Sequence, residues 1–289
     1  MTLYSLDELR DLSAPALLLA FDGWVDAGSA ATTAAGRVAE RAEIVGRFAP
    51  DLLYDYRARR PTLVILDGRP ADLTWPELTI RRRRIGERDL FVIVGPEPDF
   101  RWRELCDASL ELARRLGIVE WITVGSIPAA VPHTRAVPIL GTQSETGLLA
   151  EGVAPGPDGL LTVPAAAVSV IDHAIAAAGI PAVGYFAQIP HYVSGEYPLA
   201  AAELLRALSR HLRYDLASSA VDDEARLLRT RLDAATAADE QTRSYVERME
   251  AMVDEARRPA GDDLIAEIER FLREGGGGGD RGGEERLGD

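Results

Sequence analysis

The segment Leu17–Glu40, LLLAFDGWVDAGSAATTAAGRVAE, constrains the chain most. Five apolar residues run into Asp22-Gly23-Trp24, then Asp26-Ala27-Gly28-Ser29, then an alanine-rich stretch. The pattern reads as a strand, a tight acidic turn and a helix. Strand-like runs recur at Ala16–Phe21, Glu43–Phe48, Thr62–Leu66, Leu78–Arg84, Leu90–Gly95, Trp121–Gly125 and Ala182–Ala187. Helical patterns lie between several of them, at Ala27–Arg41, Trp102–Leu116, Ala165–Ala178 and Tyr197–Leu212. Gly117 and Gly179 act as stop signals, and Pro198 suits a first helical turn. Short apolar strands alternating with helices predict an α/β sandwich with a mainly parallel sheet.

Composition shifts after Leu212. From there the chain carries no strand signal. Leu228, Leu232 and Ala235 mark one helical stripe, and Val246, Met249 and Val253 another, which predicts a helical hairpin. A third helix is expected at Asp262–Leu272, after the break at Pro259-Ala260-Gly261. EGGGGGDRGGEERLGD then reads as a disordered, glycine-rich acidic tail. The expected division is a sandwich domain over 1–212, a helical extension over 213–273 and the tail over 274–289.

All 32 basic residues are arginine; there is no lysine. A P-loop or a Schiff-base site therefore lacks its usual residue. Net charge is −14. Such a surface repels phosphate backbones and argues against a nucleic-acid partner. No apolar run reaches the roughly 20 residues a membrane span needs, and no secretory signal is visible. One cysteine, Cys106, excludes an internal disulfide and suggests a reducing compartment, so a cytoplasmic location is expected. Cys106 lies beside Glu104 and Asp107, which disfavour a thiolate. Four scattered histidines and the lack of CxxC give no metal signature. No cofactor is expected.

Three loops after strands carry the candidate chemistry. In the opening turn, Asp22 and Asp26 are acid/base candidates. Gly23 and Gly28 permit unusual dihedrals or the close approach of another backbone, and the helix start that follows favours an anion. The structural reading is that two carboxylates repel phosphate and that Asp26 caps the helix. Trp24 covers the sheet edge or fills a subunit contact. In VGSIPAAVPHTRAVPILGT (Val124–Thr142), Ser126, His133, Thr134 and Arg135 follow another strand. A His-Thr-Arg cluster suits a phosphate or carboxylate. Arg135, Thr134, Ser126 and Gly23 are the ligand-binding candidates. A serine near His133 raises nucleophilic catalysis, although G-x-S-x-G is absent. The structural alternative pairs Arg135 with Asp22 or Asp26. In AQIPHYVSGEYPLAAAELLRAL (Ala187–Leu208), His191 and Glu196 flank Tyr192 and Tyr197, aromatics suited to an interface. Phe271, on the last helical face, is a further interface candidate. His173 follows Asp172 on a helix, where adjacent positions do not face each other. Arg81–Arg84 reads as a solvated or acid-paired strand edge.

FDGWVDAGSAA (Phe21–Ala31), RPTLVILDG (Arg60–Gly68), PHTR (Pro132–Arg135) and YPLAAAELLRAL (Tyr197–Leu208) together resemble the proteasome assembly chaperone 2 family. The likeness is closest to its actinobacterial-type branch. It covers about Leu12–Leu212, and the helical segment that follows also resembles that branch. The resemblance implies a three-layer α/β/α sandwich like that of purine nucleoside phosphorylases, and homo-oligomers. Eukaryotic members of the family help build the proteasome α-ring. Archaeal relatives engage the proteasome core through a tail ending hydrophobic-Tyr-any residue. This chain ends Arg286-Leu287-Gly288-Asp289, without that tyrosine. Some relatives carry an ATP-grasp label, which implies ligase chemistry, yet such nucleotide sites usually rely on lysines. Arginine carries the charge with different geometry.

Two functional readings follow. The first is a non-enzymatic, oligomeric assembly or scaffold protein, chaperone-like by resemblance, with itself and proteasome-related proteins as partners. The second is a phosphorylase- or hydrolase-like enzyme, or a ligase, acting on a small anionic metabolite. Convergence of Asp22, Asp26, His133 and Arg135 in one open cleft favours the second; a closed, salt-bridged arrangement favours the first.

Overall fold

A computed structural model describes residues 2–157 and 159–256. The strands are β1 (Tyr4–Leu6), β2 (Ala16–Phe21), β3 (Glu43–Phe48), β4 (Thr62–Leu66), β5 (Arg69–Thr74), β6 (Thr79–Ile85), β7 (Arg88–Gly95), β8 (Glu120–Ala129), β9 (Ile139–Gln143), β10 (Ala154–Pro155) and β11 (Ala182–Pro190). The helices are α1 (Ala30–Ala39), α2 (Pro50–Leu53), α3 (Trp102–Leu116), α4 (Ala167–Ala177), α5 (Pro198–Leu212), α6 (Ser219–Ala238) and α7 (Glu240–Ala256).

Nine strands form one sheet in the order β1-β3-β6-β7-β2-β8-β11-β9-β10. The central four, β7, β2, β8 and β11, are mutually parallel. β6, β3 and β1 extend one side antiparallel, and β9 pairs antiparallel on the other. The expectation of a mainly parallel sheet thus holds for its centre only. β2 is buried along its whole length, as a strand covered on both faces must be. Its alternation divides the core. Ala16, Leu18 and Ala20 join the cluster that holds α1, α5 and Val221 of α6. Leu17, Leu19 and Phe21 join the cluster that holds α3 and α4. Helices therefore cover both faces, and the architecture is a three-layer α/β/α sandwich.

Differences from expectation have local causes. Thr62–Leu66 forms a strand, but it pairs only with β5 in a separate two-stranded hairpin. The arginine run lies in β6, between β3 and β7, so it is not on an edge; Arg82 pairs with buried Asp89 at 2.9 Å. On α6, Leu228 and Leu232 pack against the core, whereas Ala235 is exposed. On α7, Val246 and Met249 are buried. The helix expected at Asp262–Leu272, Phe271 with it, and the glycine-rich tail lie outside the described residues. No helix among the described residues is long and apolar enough to cross a membrane.

Candidate functional site

β7, β2, β8 and β11 end on one edge of the sheet, where open α/β sheets present ligands. The turn after β2, the loop after β8 and the loop after β11 meet there, and α7 contacts the latter two.

The opening turn is a fixed corner. The Asp22 amide donates to the Gly95 carbonyl at 3.0 Å. Its carboxylate accepts from the Glu97 amide at 3.0 Å and from Arg59 Nη1 at 2.9 Å. Gly23 has φ +104°, and a Cβ there would sit 3.0 Å from Glu97 Oε2. Glu97 Oε1 in turn accepts the Ala167 amide at the start of α4, at 2.7 Å. Trp24 stands 64% exposed beside this corner.

Asp26 is buried, and it caps α1 across the short turn Ala27–Ser29. Its Oδ1 accepts the Ala31 amide at 2.8 Å and the Thr32 amide at 3.3 Å, and its Oδ2 accepts the Thr32 hydroxyl. Burial raises its pKa, while these bonds pull it back. Gly28 has φ +61°, and a Cβ there would lie 2.7 Å from Tyr197 Cβ. The Tyr197 amide donates to the Gly28 carbonyl at 2.8 Å. Only a residue without a side chain lets these segments meet so closely. Tyr197 is 1% exposed. This corrects its reading as an interface residue: its ring fills the core beside α1.

Ser126 is fully buried. Its hydroxyl donates to the Ala27 carbonyl at 2.7 Å and lies 3.4 Å from Asp26 Oδ1. Among the described residues it makes no bond to His133. His133 is fully buried as well. The Tyr192 hydroxyl accepts its amide at 2.8 Å and lies 2.7 Å from Nδ1. Nε2 is 3.3 Å from Asp233 Oδ1 but off hydrogen-bond geometry. Burial holds the His133 pKa below its ordinary value, against the pull of Asp233. Tyr192 is therefore a partly buried strut, with its hydroxyl committed inside the chain.

The expected pairing of Arg135 with Asp22 or Asp26 is not formed. Arg135 pairs with Glu250 (3.1 Å) and Asp254 (2.7 Å) on α7, and Asp22 pairs with Arg59. The Thr134 hydroxyl also bonds Glu250. Glu250 and Asp254 stand four residues apart on one helical face, so both reach the same loop. Arg229 of α6 donates to the Thr134 carbonyl at 2.9 Å. His191 Nε2 meets Tyr245 of α7 at 2.7 Å. The group expected to bind an outside anion is thus met by carboxylates of the same chain. A cavity of about 510 Å³ lies alongside, with Arg135, Arg206, Arg226 and Arg229 and the carboxylates Glu203 and Asp222 around it, both of them paired with Arg206, and Val137 and Leu199 in its wall.

Asp22, Asp26, Ser126 and His133 do not converge on one accessible point. Arg59, Glu97, Glu250 and Asp254 are the partners sequence reasoning missed. Only the i,i+4 carboxylate spacing on α7 gave a signal, and it did not say which arginine would answer it. Among the described residues, no group of three or more His, Cys, Asp or Glu side chains is placed to hold a metal ion.

The sequence profile of the PAC2 family matches residues 20–236. A PAC2 family protein from Streptomyces avermitilis is 31% identical, with a TM-score of 0.72 over 80% of this chain and 99% of its own. A Mycobacterium tuberculosis proteasome-assembly chaperone homologue is 30% identical, with a TM-score of 0.72 over 80% and 99%. A Corynebacterium glutamicum protein of unknown function is 26% identical, with a TM-score of 0.83 over 89% and 100%. No curated protein matches the chain.

Proposed function

The chain belongs to the PAC2 family, and from that premise we propose that it is a chaperone-like, non-enzymatic assembly protein. It works as a homo-oligomer and takes proteasome-related proteins as partners. The β4–β5 hairpin carries this reading. Leu63, Val64, Ile65, Leu66 and Leu73 are each at least 47% exposed, and both strands are exposed along their whole length. A lone two-stranded hairpin is marginal in water, and apolar residues exposed together mark a protein contact. A second chain laid on the hairpin supplies the missing cover. The engaged state of Asp22, Asp26, Ser126 and His133 supports a structural rather than a catalytic edge. The likeness to the mycobacterial chaperone homologue supports the choice of partner.

Light scattering at micromolar concentration is expected to give a multiple of the 31.3 kDa chain mass. The double variant Leu63→Asp, Ile65→Asp should become monomeric while keeping its helical circular dichroism. A monomeric wild type rejects the oligomer. Proteasome core particles reconstituted from their subunits should assemble faster with the chain present; an unchanged rate rejects the chaperone role.

One observation favours the alternative of a phosphorylase- or hydrolase-like enzyme on an anionic metabolite: the arginine-rimmed cavity beside Arg135. Under that reading, Arg135→Ala stays folded and loses affinity for inorganic phosphate.

A further inference from the structure

A second cavity, of about 260 Å³, opens between α4 and the strands β9 and β11. It lies beside the start of β11, far from the edge where the loops meet. Its polar groups include Asp172, Ser169 and His173 of α4, and its apolar wall includes Val183 and Phe186 of β11. The helix residues fall at positions 169, 172, 173 and 176, one face of α4 by helical spacing.

Asp172 is the unexplained group. Trp121 Nε1 donates to its Oδ1 at 3.1 Å, and the Thr123 hydroxyl donates to the same oxygen at 2.6 Å. One neutral amide oxygen would accept both bonds. A carboxylate at this place carries a burial cost that an asparagine avoids. The second oxygen accepts no hydrogen bond from the described residues, and none of them forms an ion pair with Asp172. Burial pushes the group up to about 7, only partly offset by its two donors. No described residue thus supplies the charge that would stabilise the carboxylate. A metal ion does not fit, because no set of three ligating side chains surrounds it among the described residues. An organic ammonium fits better. It needs one carboxylate with hydroxyl acceptors nearby, and a wall for its carbon body. Phe186 and Val183 supply that wall. The volume suits a compact ligand rather than a nucleotide.

We propose that this cavity binds a small primary ammonium ligand with an apolar body, the ammonium on Asp172 and the body against Phe186 and Val183. Benzylamine is the probe, titrated calorimetrically into the full chain at about pH 8. About 0.15 M salt screens the acidic surface. Saturable one-to-one binding is expected. Benzyl alcohol, which keeps the ring and lacks the charge, should bind at least tenfold more weakly. Asp172→Asn keeps an acceptor for Trp121 and Thr123, so it should fold as the wild type does by near-ultraviolet circular dichroism. Its affinity for benzylamine should fall at least tenfold. Ser169→Trp, an exposed change at the cavity mouth, should block binding without touching the carboxylate. No saturable binding to the wild type, equal affinity of Asp172→Asn, or equal affinity for the alcohol would each overturn the proposal.

Discussion

The guanidinium of Arg135 meets the carboxylate of Asp254 as a two-point fork, Nε to Oδ1 at 3.0 Å and Nη2 to Oδ2 at 2.7 Å. The fork is the geometry in which arginine holds a carboxylate most specifically. It joins a loop in the sandwich to a helix 119 residues further along the chain. The pair is open to solvent, so it positions α7 more than it stabilises the whole fold. Asp254→Asn combined with Glu250→Gln should leave the melting temperature nearly unchanged. Hydrogen exchange of the α7 amides should accelerate several-fold, and added salt should have the same effect on the wild type. A loss of the entire fold would instead mean that α7 is part of the cooperative core.

Gly28 and Gly36 make a matched pair. At Gly28 the backbone is left-handed, and a Cβ would lie 2.7 Å from Tyr197 Cβ and 3.2 Å from its amide nitrogen. Gly28→Ala should cost about 2–4 kcal/mol, combining backbone strain with overpacking. Gly36 sits inside α1, where a Cβ would meet nothing within 4 Å. Gly36→Ala should stabilise by up to about 1 kcal/mol. Denaturant unfolding of both variants checks the sign, and equal effects would remove the close approach as the reason for Gly28.

Much of the sandwich was legible because its strands are covered on both faces. Leu17, Leu19 and Phe21 face one helical layer, and Leu18 and Ala20 the other, so the run reads as continuously apolar. The same signal found the strand Thr62–Leu66 but not the separate hairpin it belongs to. An apolar run looks alike whether its own chain or another covers it, and β4 is exposed throughout. β1, β5, β9 and β10 are short or polar and left no pattern. At the site, the cap role of Asp26 followed from local spacing. The partner of Arg135 did not, because it depends on how α6 and α7 dock. Ser126 was misleading for a similar reason. Its hydroxyl answers the Ala27 carbonyl, 99 residues away in sequence, and this bond has no local signature.

Asp26 accepts two amides from the first turn of α1 and the Thr32 hydroxyl. Asp26→Ala leaves those donors without a partner and should cost about 1–2 kcal/mol, the usual range for a lost cap. Asp26→Asn retains one acceptor oxygen and should cost less. If Asp26 were instead a catalytic acid, both variants would keep wild-type stability, which urea denaturation would reveal.

Asp172 should set a pH dependence of stability. Its folded-state pKa is pushed up to about 7 from the ordinary carboxylate value of 3.8, chiefly by burial. The folded state therefore holds a proton that the unfolded chain has released, and stability falls as pH rises between about 4 and 7. Below that window both states are protonated and the residue is neutral in effect. Above it the carboxylate is charged in both states, and the half-buried site carries the full cost of holding that charge. Asp172→Asn keeps the acceptor for Trp121 and Thr123 without ever ionising. The variant should match the wild type near pH 4 and melt at higher temperature near pH 8, with the gap opening across the window. Parallel melting curves for the two proteins at every pH would show that Asp172 is ionised without penalty, as it would be with a cation already at its side.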